Sequence, residues 1–485
     1  MSFINTISTK SLLNWKPEAE GERQQMSKLY TDLLGIEEAV NNNEFIIMGR
    51  KGAGKSAYAV HLQALSSDPN NMMACESIDS QDIHLEKLIN EVDDGTTQYT
   101  ALLEWLILSK FVNLILNAPD GKNNRNYQDL QHFYKNVSGH VHFTKDTIKE
   151  TLHTREFNIS ALETINFKAG RQTTNKNYKA TFFSMIESLR HAVCDTLKMD
   201  VFTKYKFYVL IDDLDIDFSL KDDLAKKRLL ALMRIVCKYN SEYLLDTSSK
   251  ILIFIRNDIA NKLSSIGGDS QKMLDSYGFT INWYRGVEDG EDLLYKMINH
   301  RLEITFKEKN ISIPSATSPW DFFAKDSYSQ FKKLLDSTFY LPRDIINILN
   351  RSRDKNWTLP LTVEQFDALV AEYSNSKYDE VCNELAASLD SDEISDIKKV
   401  LYKVAKEIKD YGALSYEQIM EHLEKVSLSE THFQILIEHD IFVPVEKNNT
   451  NIFLYSYRET KRLGSNEDYL YKLPKVLYGL FYNNR

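Results

Sequence analysis

Cysteine is scarce in this chain. There are four in 485 residues, Cys75, Cys194, Cys237 and Cys382, far apart and with no CxxC pair. Such spacing argues against a disulfide framework or a cysteine zinc site, and reads as reduced core thiols of a cytoplasmic protein. Positive charge is also in deficit. A net charge of −10 argues against a protein that wraps nucleic acid over its whole surface, although a local basic patch is compatible with it. The opening MSFINTISTKSLLNWKPEAEGE lacks a basic segment followed by an apolar run, so no secretory leader is expected. Long apolar runs are missing too. The most apolar stretch, Leu102 to Ala118, is interrupted by Glu104, Lys110 and Asn113. It is expected to be a buried helix rather than a membrane span. No nuclease, protease or other effector motif is recognisable.

The apolar and charged fractions, 43% and 26%, are those of a globular chain, and the length suggests two to four domains with ample core. The most informative stretch is Phe45 to Leu62, FIIMGRKGAGKSAYAVHL. It reads as a buried strand, a glycine-rich loop and the start of a helix. Gly49, Gly54, Lys55 and Ser56 fit G-x-x-x-x-G-K-[ST], the phosphate-binding P-loop. Glycines let the backbone turn sharply and bring its N–H groups onto phosphate oxygens. The helix from Lys55 aims its positive end at the same anion. The Lys55 ammonium reaches the outer phosphates and the Ser56 hydroxyl can ligate Mg2+. The candidate binding residues are therefore Gly49, Arg50, Lys51, Gly52, Ala53, Gly54, Lys55, Ser56 and Ala57. The alternative is a chance glycine turn, and the flanking strand and helix weigh against it.

Further strands are expected at Met72–Ile78, Tyr208–Ile211, Ile251–Ile255 and Phe279–Tyr284, and a helix at Leu224–Tyr239. The third run continues as FYVLIDDLDID. A strand ending in Asp delivers a carboxylate to the edge where parallel sheets bind ligands. Asp212 is the candidate Mg2+ partner, as in Walker B. Asp213 is the candidate base that polarises an attacking water, with a solvated acidic turn as the alternative. Ile251–Ile255 ends in Arg256, placed to stabilise charge on a phosphate; a salt bridge to a nearby aspartate is the alternative. Between the second and third strands the chain is long. It carries helices at Asp82–Glu91, Thr100–Asn117 and Ala180–Leu197, a polar stretch from Pro119 to Tyr178, and a candidate hairpin around Phe157–Phe167. This is read as a helical insertion, serving either as a solvated decoration or in partner recognition.

Before the P-loop, Met26, Leu29, Leu33, Leu34 and Ile36 suggest a helix. After Gly290 the pattern turns helical. Apolar stripes at Leu293–Leu302 and Trp320–Leu335 are followed by YLPRDIINILNR, where Pro342 suits a first turn. Arg343 then projects from the helix start toward a bound nucleotide, a plain surface arginine being the alternative. From residue 388, helices at Glu393–Tyr411, Tyr416–Val426 and Ser429–His439 precede a hairpin of Ile441–Val445 and Asn451–Tyr457. Three helices and a hairpin make a winged-helix-like unit. Its third helix carries Glu430, Glu438 and Asp440 and no Lys or Arg, so protein docking is favoured over DNA; the flank Arg458, Lys461, Arg462 keeps nucleic acid as the alternative.

The series GRKGAGKSA, VLIDDLD, IFIRND and LPRDII resembles bacterial P-loop ATPases lying between AAA+ and STAND proteins, including KAP-like and origin-recognition-like ATPases. The resemblance covers roughly residues 15–355 and extends to the winged-helix tail that several relatives carry. It implies an α/β fold of ASCE/AAA+ type: a P-loop NTPase core with a parallel sheet and an extra strand between the P-loop and Walker B strands, a helical lid, and ATP between core and lid. The implied division is an N-terminal arm over 1–44, a core over 45–287 with an insertion at about 80–204, a lid over 288–387 and a winged-helix-like domain over 388–485. By resemblance Lys55 and Ser56 bind phosphate and Mg2+, Asp212 is the Walker B acid, Asp213 the catalytic acid, Arg256 the arginine ending the fourth strand and Arg343 the sensor 2 arginine. Relatives usually carry Glu where Asp213 stands, and the long insertion is unusual for AAA+ proteins. The resemblance implies Mg2+-dependent ATP hydrolysis, homo-oligomerisation and a separately encoded effector, in the manner of antiviral defence switches.

Overall fold

Phe207–Ile211 and Ile251–Ile255 are unbroken apolar runs, so neither can present one face to water. Strands of this kind need cover on both sides, as in a parallel sheet between helices. The computed structural model, which describes residues 7–68, 71–78, 96–122, 124–138, 182–212, 214, 223–264, 268–285, 292–314, 317–325, 327–455 and 468–481, supplies that cover. β1 (Ile46–Gly49), β2 (Met73–Ile78), β3 (Lys206–Ile211), β4 (Lys250–Arg256) and β5 (Gly278–Thr280) form one sheet in the order β2-β3-β4-β1-β5. All neighbouring strands are parallel. The fold is thus mixed α/β with a five-stranded parallel sheet. β4 lies between β1 and β3, and the register sets Gly49 beside Arg256 and Ile211 beside Ile253. The carboxyl ends of β1, β3 and β4 therefore finish along one edge.

Helix Thr96–Asn117 packs on β2, β3 and helix Asp223–Lys238. Trp105, Leu108, Phe111 and Val112 are buried in it. This helix is a layer of the core, in line with the buried helix expected over Leu102–Ala118, so this part of the insertion is not a solvated decoration. Glu104 on the same helix meets Arg190 of helix Phe182–Leu197 and accepts from Tyr239 Oη at 2.6 Å. Among the described residues no helix is long and apolar enough to cross a membrane.

Helices Leu293–Glu308, Pro319–Phe323, Ser327–Asp336, Pro342–Lys355 and Val363–Glu384 follow the sheet. Trp320 is at their centre, ringed by Phe323, Phe331 and Phe366 at centroid distances of 5.6, 4.9 and 5.6 Å. The N-terminal arm is tied to these helices. Thr9 Oγ1 donates to Ser352 O at 2.6 Å, Asn350 Nδ2 to Trp15 O at 2.7 Å and Trp15 Nε1 to Thr305 Oγ1 at 3.0 Å. Last come helices Ser391–Tyr411, Tyr416–Glu424 and Glu430–Glu438 with strands β6 (Leu414–Ser415), β7 (Val443–Glu446), β8 (Asn449–Phe453) and β9 (Tyr469–Lys472). The strands pair antiparallel in the order β6-β9-β7-β8. Capping boxes at Asp390/Glu393 and Ser415/Gln418 start the first two helices.

Several expectations need correcting. The stretch from Met26 to Ile36, expected as one helix, is divided between two short ones, Met26–Leu29 and Ile36–Asn41, and Thr9–Leu12 adds a further short helix to the arm. The Asp32 carboxylate accepts from the Ile36 and Glu37 N–H groups at 2.9 and 2.8 Å and restarts the helix there. The polar stretch after Pro119 contains helix Arg125–Ser138, opened by Asn124 Oδ1 accepting from Asn126 N at 2.8 Å. The stripe at Trp320–Leu335 is two helices. β5 stops at Thr280, because Asn282 turns the chain by accepting from Tyr284 N at 3.0 Å. The C-terminal hairpin is tighter than expected, with Glu446 opposite Asn449. The helix expected at Asp82–Glu91, the hairpin around Phe157–Phe167 and the flank Arg458, Lys461, Arg462 lie outside the described residues.

Candidate functional site

The site begins where β1 runs out. From Gly49 the chain turns through Arg50–Gly54 into helix Lys55–Ser66. Gly52 and Gly54 have φ of +80° and +99°, which side chains disfavour. A Cβ on Gly52 would also stand 3.1 Å from Arg343 Cβ, so the missing side chain lets the two segments touch. Trp283, just beyond β5, donates its Nε1–H to Ala53 O at 2.7 Å and fixes the loop from below. Lys55 Nζ donates to Gly49 O at 3.0 Å and Arg50 O at 3.2 Å, which holds the ammonium inside the turn.

A cavity of about 710 Å³ opens over this turn, inside the range of roughly 300–1,000 Å³ usual for small-molecule sites. Of the sequence-expected residues, Lys51, Gly52, Ala53, Gly54, Lys55, Ser56, Ala57, Asp212, Arg256 and Arg343 all line it. Residues nearly three hundred positions apart in the chain thus line one cavity. Gly49 lies beneath the loop. The Arg50 side chain, expected among the ligand contacts, turns to other partners: Phe339 O at 3.3 Å, the Phe339 ring at 5.2 Å and the Asp440 carboxylate at 3.1 Å. Asp213 lies outside the described residues. Arg256 makes the salt bridge weighed as its alternative reading, with Nε and Nη2 on Asp258 at 3.0 and 2.7 Å. Burial acts to raise the Asp258 carboxyl, but the guanidinium outweighs it and holds that group below the ordinary carboxylate range. Arg343 packs on Gly52 and donates to Glu18 Oε2 at 2.7 Å.

Sequence reasoning missed the far wall. Leu29, Tyr30 and Leu33 of the arm, with Met297 and Ile346 of the helices, form an apolar end to the cavity, and Glu18 and Arg301 also reach it. No spacing in the sequence links the arm to residue 343, so nothing in the pattern pointed to it. The two ends differ in chemistry. One has an ammonium, guanidinia and loop N–H groups for an anion; the other suits a flat apolar group. A hydroxyl (Ser56) and a carboxylate (Asp212) are hard oxygen donors that fit Mg2+, which keeps water and ligand oxygens for its remaining positions. Among the described residues no group of three or more His, Cys, Asp and Glu is arranged to hold a metal ion, and a Mg2+ shared with phosphates needs none.

The C-terminal unit also meets this edge of the sheet. His439 follows helix Glu430–Glu438 and is enclosed by Asp258, Arg256, Lys262 and Arg50. Burial pushes its imidazole down to about 4; Asp258 works to raise it and the three cations to lower it. With the folded value below the free value of 6.5, the unfolded chain takes the proton first as pH falls. The contribution to stability is therefore complete above about pH 6.5 and is lost on acidification toward 4. Glu438, whose carboxyl burial pushes up, acts in the opposite sense, so the useful quantity is a difference between variants. Thermal unfolding at pH 7 and pH 5 is expected to show a larger drop for wild type than for His439→Gln. Equal drops would refute the assignment. No family model matches this chain, and no curated protein matches it either.

Proposed function

We propose that this chain is an ATP-binding and ATP-hydrolysing molecular switch that assembles with itself and controls a separately encoded protein effector. The observation that carries the reading is the single cavity lined by Lys55, Ser56, Asp212, Arg256 and Arg343. In this reading Lys55 and the loop N–H groups hold the phosphates, while Ser56 and Asp212 hold Mg2+. Bound MgATP brings a phosphoanhydride whose charge the metal partly neutralises. The chain's own part is to orient and to exclude water. Arg256 and Arg343 add positive charge where the terminal phosphate would lie, Asp213 follows the metal acid as the proposed general base, and the arm offers an apolar seat for the adenine ring. The position of β4 between β1 and β3 supports the ASCE/AAA+ assignment suggested by the motifs. The helices after residue 292 are then the lid, and the C-terminal unit is the winged-helix-like domain.

A switch needs its ligand to touch parts that can separate. This cavity has one wall from the sheet and the other from the arm and helices, so a ligand bridging them favours the closed arrangement by its differential affinity. Helix Glu430–Glu438 exposes Glu430 and carries no Lys or Arg, and its end faces the sheet edge, so a protein partner suits the C-terminal unit better than a duplex. Mass measurements on purified protein with and without MgATP are expected to show a larger species only with nucleotide, and none with Lys55→Ala. An identical size distribution in all four conditions would sink the switch.

A further inference from the structure

Arg343 can face the P-loop only if the segment before it is bent correctly. That segment is an arch over Thr338–Pro342. Tyr340 within it has φ of +56°, a conformation a tyrosine does not adopt without support. The support comes from Asp344, the residue after Arg343. Its side chain is fully buried, at 0% exposure. One oxygen accepts from Phe339 N at 3.0 Å; the other accepts from Tyr373 Oη at 2.6 Å and pairs with Lys377 Nζ at 3.0 Å. Lys377 is 3% exposed and also meets Glu380 at 3.1 Å. Burial acts to raise the Asp344 carboxyl, but Lys377, Tyr373 and the Phe339 N–H outweigh it and keep the group ionised.

The arch is held from the P-loop side as well. Lys377 Nζ lies 5.7 Å from the Phe339 ring centre and Arg50 Cζ 5.2 Å from the same ring, while Arg50 also donates to Phe339 O at 3.3 Å. Phe339 is thus fixed by a cation of the P-loop and a cation of helix Val363–Glu384. Arg343 leaves the end of this arch and packs its stem on Gly52. A fully buried ion pair contributes little net stability when its desolvation is counted, so specifying one geometry is the better account of its presence.

We infer that Asp344 is a positioning residue: with Lys377 and Tyr373 it sets the Phe339–Arg343 arch that lays Arg343 over the P-loop. This rests on the nucleotide reading above. The test is a double-mutant cycle on the full chain, with MgATP as the probe in calorimetric titration. Arg343→Ala and Asp344→Asn are each expected to weaken binding by about tenfold, the weight of one charge-assisted hydrogen bond. The double variant should bind no worse than Arg343→Ala alone, because Asp344 acts through that arginine. Hydrogen exchange without nucleotide should show the Phe339 amide losing protection in Asp344→Asn while β1 and β4 keep theirs. Wild-type affinity in Asp344→Asn, fully multiplicative losses in the double variant, or unchanged Phe339 protection would each overturn the assignment. Absence of MgATP binding by wild type would instead overturn the nucleotide reading, and it is distinguishable because it appears before any change at Asp344.

Discussion

In the ATPase proposed for this cavity, Lys55→Ala is expected to abolish ATP turnover, with a loss of at least about a hundredfold, and to weaken MgATP binding together with it. The ammonium is the one cation that the loop itself holds over its centre, 3.0 Å from Gly49 O and 3.2 Å from Arg50 O. It can exchange those carbonyls for phosphate oxygens without moving the backbone. Alanine keeps the loop's N–H groups but removes the charge they act with. Loss of one preorganised donor at developing negative charge costs about 3–4 kcal/mol, or roughly two to three orders of magnitude in rate. Since Lys55 is half-buried and outside the hydrophobic core, the melting temperature should hardly change. Phosphate release at the wild-type rate by the purified variant would mean that the cavity is not where ATP is used.

The second large effect is on the arm. Glu22 and Arg301 are 7% and 6% exposed and meet at 2.7 and 3.3 Å, and Glu22 Oε1 also accepts from Lys16 N at 2.9 Å. The Trp15 ring covers the guanidinium at 5.8 Å. Arg301→Met keeps most of the packing volume but leaves a buried carboxylate without its cation. Breaking one side of such a pair costs about 3–5 kcal/mol. The arm lines the cavity, so the expected outcome is faster hydrogen exchange across residues 15–30 and weaker MgATP binding. Adding Glu22→Gln should restore much of both, because it removes the stranded charge. Protection of the arm unchanged from wild type in Arg301→Met would show that the pair does not hold it.

Much of the candidate site was legible because its chemistry is local. The glycines, Lys55 and Ser56 occupy one turn, and their roles follow from backbone geometry within eight residues. Asp212 and Arg256 were legible for a related reason: each ends an apolar run, and parallel strands finish along one edge. The contacts of Arg50 were not legible. Its partners, Phe339 and Asp440, are about three hundred and four hundred residues downstream, and nothing in the pattern of the loop distinguishes an arginine facing a ligand from one facing a protein carboxylate. The arm was misread for a different, local reason. Its spacing fits a continuous helix, but the Asp32 carboxylate caps a new helix at Ile36 and breaks the stretch in two.

By itself the sequence determined the parallel strands apart from the end of β5, the glycine-rich loop, and Asp212 and Arg256 at the ends of two of those strands, because period and turn chemistry act over a few residues. Only the tertiary structure decided that the arm helps to close the cavity, that Arg50 faces Asp440 and that β6 and β9 join the C-terminal sheet. Those outcomes depend on which distant surfaces bury one another, and burial is a property of the whole packed chain rather than of any window along it.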